Sequence, residues 1–188
     1  MSRGGHHDVR TADRDDAIRP RADRLHTPRD DFGRDLTLPH GDTRAPVAWR
    51  DRTLTLRGSE TRVLATVGAF RVVPAADLED LRSAPDVWHG DVQHLADEGL
   101  LTRTRVVIEG QPTAVLVLTR EGKALLEAHQ PAREDDRTQQ YHAGLVKPRE
   151  LPHDAQLYRL YQAEAARLEG EGARVTRVVL DYELKREY

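Results

Sequence analysis

Val92-Gln-His-Leu-Ala-Asp-Glu-Gly-Leu-Leu101 is followed by Thr102-Arg-Thr-Arg-Val-Val-Ile-Glu109, a Gly110-Gln-Pro112 turn, Thr113-Ala-Val-Leu-Val-Leu-Thr119 and Arg120-Glu-Gly-Lys-Ala-Leu-Leu126. The spacing of apolar residues changes twice along this stretch. Val92 and Leu95 form the stripe of a helix that begins near Trp88, and Gly99 suits a left-handed C-terminal cap. Two β-branched runs separated by a glycine–proline turn then predict a hairpin. From Thr119 to His129 the spacing is helical again.

Upstream, Val63, Leu64, Val67 and Phe70 recur on one face of a helix over 60–70. Pro74 to Arg82 reads as a second short helix, with Pro74 in its first turn and Leu78 and Leu81 inward. Three helices, a hairpin and a closing helix form the order of a winged helix. The Gly99-Leu-Leu101 step, the hairpin and Leu118-Thr-Arg-Glu-Gly-Lys-Ala-Leu-Leu126 resemble the helix–wing–helix pattern of MarR-type winged helix-turn-helix domains over residues 55–130.

That resemblance implies double-stranded DNA as partner, with the third helix in the major groove. The groups placed to read bases are then His89, Gln93 and His94. Arg103, Arg105, Arg120 and Lys123 would contact phosphates, with Arg57 and Arg62 adding to them. Charge opposes this on the helix itself, which has no Arg or Lys but carries Asp86, Asp91, Asp97 and Glu98, all repelled by phosphate. Over residues 51–130 the 9 basic and 12 acidic residues give a net of −3. A winged helix used for protein contact is therefore the alternative.

Residues 1–50 hold ten Arg, nine Asp and four His with few clustered apolar residues, and read as a disordered charged tail. Residues 131–150 read as a linker. Within 151–188, Leu157, Leu160, Tyr161 and Leu168 predict the inner face of a helix carrying Glu164, and Ala173 to Asp181 predicts a strand. Glu164, Asp181, Glu183 and Lys185 suggest a remnant of a metal-dependent PD-(D/E)xK-like nuclease. The alternative is that Asp181 caps a final helix. A winged helix, a linker and a His153-Asp154-led helix and strand also resemble the replication-relaxation proteins of mobile elements, cut short before the carboxylate-bearing strands.

The expected fold is thus α+β: a charged tail, a winged helix over 51–130, a linker, and a helix–strand fragment of an incomplete α/β domain. The expected function is non-enzymatic DNA binding in transcription or mobile-element replication and transfer, with no cofactor, no catalytic residue and no metal site. A homodimer is a further option. The 188 residues carry 29 Lys+Arg against 32 Asp+Glu, and mean hydropathy is −0.69. The absence of cysteine excludes disulfides and thiol chemistry. No stretch approaches the roughly 18 apolar residues of a membrane span, nor does the N-terminus hold the apolar run of a secretory signal, so a cytoplasmic protein is expected.

Overall fold

Alternation of apolar residues in Val47-Ala-Trp49 and Leu54-Thr-Leu56 builds the first element pair, strands β1 (Ala45–Trp49) and β2 (Arg52–Leu56). The computed structural model describes residues 31–79, 85–132, 138–145 and 147–184. Along it follow α1 (Gly58–Phe70), β3 (Val73–Pro74), α2 (Ala75–Glu79), α3 (Pro85–Asp97), β4 (Leu101–Ile108), β5 (Gln111–Leu118), α4 (Arg120–Ala128), α5 (Leu151–Gly170) and α6 (Asp181–Leu184). The fold is α+β with two small antiparallel sheets, β1-β2 and β3-β5-β4.

Helix α1 occupies the centre. Val63, Leu64, Val67 and Phe70 are all buried, as their spacing requires. In the three-stranded sheet Leu101 pairs with Leu118 and Arg103 with Leu116. Directly opposed residues share a face, so the Leu101, Leu116 and Leu118 side faces the helices and joins their core. Val115 and Val117 pack on the other face, against Val72 and Leu151. The run Val115–Leu118 is therefore buried on both sides, and α5 is the cover of the second face.

Several expectations are corrected. The hairpin turn is Glu109-Gly110, with φ of 51° and 78°, the two-residue form that matches strand twist. Gln111 and Pro112 belong to β5. Pro74 lies in β3, paired with Val115, and α2 begins after it. Leu81 lies outside the described residues.

The tail does not extend to residue 50. Phe32, Leu36, Leu38, Val47 and Trp49 are in the core, and the arm is stitched down by Thr61 Oγ1 donating to Pro39 O (2.8 Å) and Gly58 N to Gly41 O (2.7 Å). Gly58 has no room for a side chain there, since a Cβ would sit 2.1 Å from His40 O. Part of the 131–150 segment is also built in: Tyr141 is buried and its hydroxyl donates to Phe32 O (2.8 Å).

Helix α5 turns inward a face centred beside the expected one, keeping Leu157 and Tyr161 packed on the core but leaving Leu160 outside. Leu151, Asp154, Ala155, Tyr158 and Ala165 are buried, while Leu160 is 65% exposed. Aromatic packing decides the rotation: Tyr158 and Tyr161 meet Phe70 at 5.2 and 5.0 Å between ring centroids, and Phe32 closes on Tyr161 at 5.2 Å. Residues 173–180 form no strand ladder. Val178 instead exchanges two hydrogen bonds with the side-chain amide of Gln139, at 2.9 and 3.2 Å. Helix and C-terminal segment thus pack on the same core as the preceding elements and do not open a separate half-domain.

Candidate nucleic-acid interface

Glu60, at the third position of α1, reaches back to the Arg57 backbone N–H (2.9 Å), as an acidic residue there commonly does. It is wholly buried, and Arg44 donates to its Oε1 from Nε (3.0 Å) and Nη2 (2.6 Å). Asp91 on α3 is buried as well, and Arg57 donates to its Oδ1 from Nε (2.8 Å) and from Nη2. Arg44 Nη2 also lies 3.8 Å from Asp91. Two carboxylates and two guanidinium groups thus lock α3 to α1 and to the arm before β1. Hydrogen bonding to Glu60 raises the pKa of Arg44 above its ordinary value.

His94 belongs to this cluster. Its Nδ1 is buried 2.9 Å from Glu60 Oε1, at ion-pair distance but without hydrogen-bond alignment, and its Nε2 is 3.6 Å from Glu98. His94 is therefore a core-facing group, and the expectation that it reads bases is corrected. Arg57 is likewise committed to Asp91 and not available for phosphate. Arg62 is half-buried, with its Nε in the interior. The side chain of His89 lies outside the described residues.

The exposed surface of α3 carries Gly90, Gln93 and Asp97, with Gln93 Nε2 donating to Asp97 Oδ1 (2.7 Å). Of the carboxylates that would repel phosphate, Asp91 is withdrawn into the interior. Glu98 is held by Arg52, whose Nη1 lies 3.5 Å from it and whose Nη2 donates to its carbonyl (2.9 Å). Arg103 and Arg105 are exposed on β4 and make no ion pair among the described residues. Their register, opposite Leu116 and Ala114, puts them on the sheet face that packs on the helices. Arg120 is exposed at the start of α4, while Lys123 lies 3.4 Å from Glu127.

The residues of the nuclease reading are not brought together. Glu164 is exposed and pairs with Arg167, which holds its carboxyl below the usual value through a hydrogen bond. Asp181 is exposed at the start of α6. Glu183 is buried, accepting from Leu180 N (3.0 Å) and lying 3.2 Å from His142 Nε2 and 3.7 Å from Arg177. Lys185 lies outside the described residues, and among the described residues no three metal-ligating side chains gather.

His153-Asp154, which carried the wider resemblance, has an exposed histidine and a buried aspartate 3.2 Å apart, with Arg71 3.6 Å from Asp154. Burial raises the Asp154 pKa, against the hydrogen bond from His153 and the charge of Arg71. A cleft between Phe32, Leu36, Gln139, Tyr141 and Thr176 has a volume of about 30 Å³, room for a water or two but not for a metabolite. No described helix is long and apolar enough to cross a membrane.

Sequence reasoning missed the Arg44–Glu60–Asp91–Arg57 cluster, because its members are separated by 16 and 34 positions. One local signal was available, a glutamate three residues after Arg57 at a helix start. Comparison with protein-family models, with curated proteins and with solved structures finds no match to this chain.

Proposed function

We propose that the α1–β3–α2–α3–β4–β5–α4 unit is a winged helix that binds duplex DNA. On this reading the exposed surface of α3 enters the major groove, and Arg103, Arg105 and Arg120 contact phosphates. The sheet order β3-β5-β4, with one strand between the first two helices, supports the winged-helix assignment. The observation that carries DNA binding is the pair of exposed arginines, Arg103 and Arg105, without an ion pair among the described residues, on the helix-facing side of the sheet, beside an α3 whose Asp91 is paired with Arg57 and whose following Glu98 is paired with Arg52. A role in transcription regulation, or in replication and transfer of a mobile element, rests on the sequence resemblance alone.

Fluorescence anisotropy with a random-sequence duplex at several salt concentrations tests the reading. Binding should weaken steeply with salt, and replacing Arg103 and Arg105 by Ala should reduce the slope of log K against log salt by about 1 for each arginine. Binding that is unchanged in the double variant would remove the wing from the interface. No binding at low salt would overturn the function and favour a protein partner.

A further inference from the structure

Two features of α3 remain unexplained by packing within the chain. Gly90 is exposed in the middle of the helix, and a Cβ there would meet nothing within 4 Å. Glycine is the least helix-favouring residue apart from proline, so neither local propensity nor internal contact accounts for it. Two turns further on, Asp97 is the one exposed carboxylate in the described part of α3 that no cation neutralises. Its Oδ1 accepts from Gln93, which fixes the rotamer and leaves Oδ2 to accept from outside.

We infer that α3 specifies a cytosine in its duplex target, with Asp97 accepting from the cytosine N4 amino group, Gln93 positioning the carboxylate, and Gly90 admitting the groove edge close to the helix backbone. This rests on the duplex-binding reading above. The chemistry of the base edges selects the base. In the major groove, guanine and thymine offer acceptors, which a carboxylate repels. Adenine sets its N7 acceptor beside its amino group, whereas cytosine offers an amino donor. An uncompensated carboxylate on a DNA-facing helix weakens binding to every sequence through phosphate repulsion, and is offset where one base donates to it.

Selection from a randomised duplex pool, run in parallel with the chain, Asp97→Asn and Asp97→Ala, tests the inference. Anisotropy on random duplex accompanies each selection. The unaltered chain should enrich cytosine about tenfold over other bases at one position of its site. Asp97→Asn should move that preference to adenine, whose N6 and N7 suit a side-chain amide. Asp97→Ala should abolish it. Duplex binding without cytosine enrichment, or cytosine retained by Asp97→Asn, overturns the inference and leaves the function standing. Failure of the parent chain to bind duplex at low salt overturns both.

Discussion

Glu60 and Asp91 show how a residue's surroundings invert its meaning. In the sequence Asp91 sits among polar neighbours on the third helix and reads as a solvent-facing charge. In the fold it is buried against Arg57, a contact made across 34 positions that no local pattern announces. Removing Asp91 strips the part-buried Arg57 guanidinium of its partner, so Asp91→Ala should destabilise the protein by about 1–3 kcal/mol, read from the urea midpoint. Two glycines should respond in opposite directions. Gly90→Ala should stabilise the fold by the roughly 1 kcal/mol that alanine gains over glycine in a helix, read as a higher thermal midpoint, while weakening duplex binding. At Gly122 a Cβ would lie 2.2 Å from Leu100 O, backbone that cannot yield cheaply, so Gly122→Ala should lower the midpoint.

At the scale of elements, the pieces held by regular spacing were legible. The helix over 60–70, the hairpin strands apart from their turn, the closing helix and the positive-φ cap at Gly99 stand where spacing puts them. The β1-β2 hairpin was not, although Val47, Trp49, Leu54 and Leu56 alternate correctly. Its turn is Arg50-Asp51, not one of the glycine-containing pairs that mark hairpins, and Arg50 takes φ 53°. What holds it lies elsewhere in the chain: Trp49 Nε1 donates to Glu121 on α4, and Arg50 lies 2.7 Å from the same carboxylate. The predicted strand over 173–181 failed for the converse reason, β-branched residues with no neighbouring strand to pair with among the described residues. A chain started at residue 51, where spacing alone would begin the domain, loses Phe32, Leu36, Leu38, Val47 and Trp49 from the core. It should lack the cooperative thermal transition that the full chain shows. An intact transition in the shorter chain would contradict the role given to the arm.

Across the whole molecule, two buried ionisable groups set opposite pH dependences. His142 is held down to about 4 by burial and by the charges of Arg71 and Lys123, despite Glu183 beside it. Its folded value lies below its ordinary 6.5, so unfolding takes up a proton between these limits and stability falls as pH drops from about 6.5 towards 4. Asp154 is displaced upward by burial, so it destabilises the ionised fold at neutral pH and ceases to do so as pH falls through its raised value. Thermal midpoints across pH 4–8 should therefore decline on the acid side in the parent chain. The decline should flatten in His142→Gln and steepen in Asp154→Asn.

The aromatic junction that joins Phe32 to Tyr141 and Tyr161 also has a consequence in time. Tyr141 grips the Phe32 carbonyl across 109 positions, and Tyr161 reaches Asp31 across 130. During synthesis Phe32 emerges well before these partners exist, and the centre of the protein stays open until Tyr161 has left the ribosome. Contacts of such long sequence separation close slowly, so refolding should be slow for a chain of this size, and nascent chains arrested before residue 161 should remain sensitive to protease.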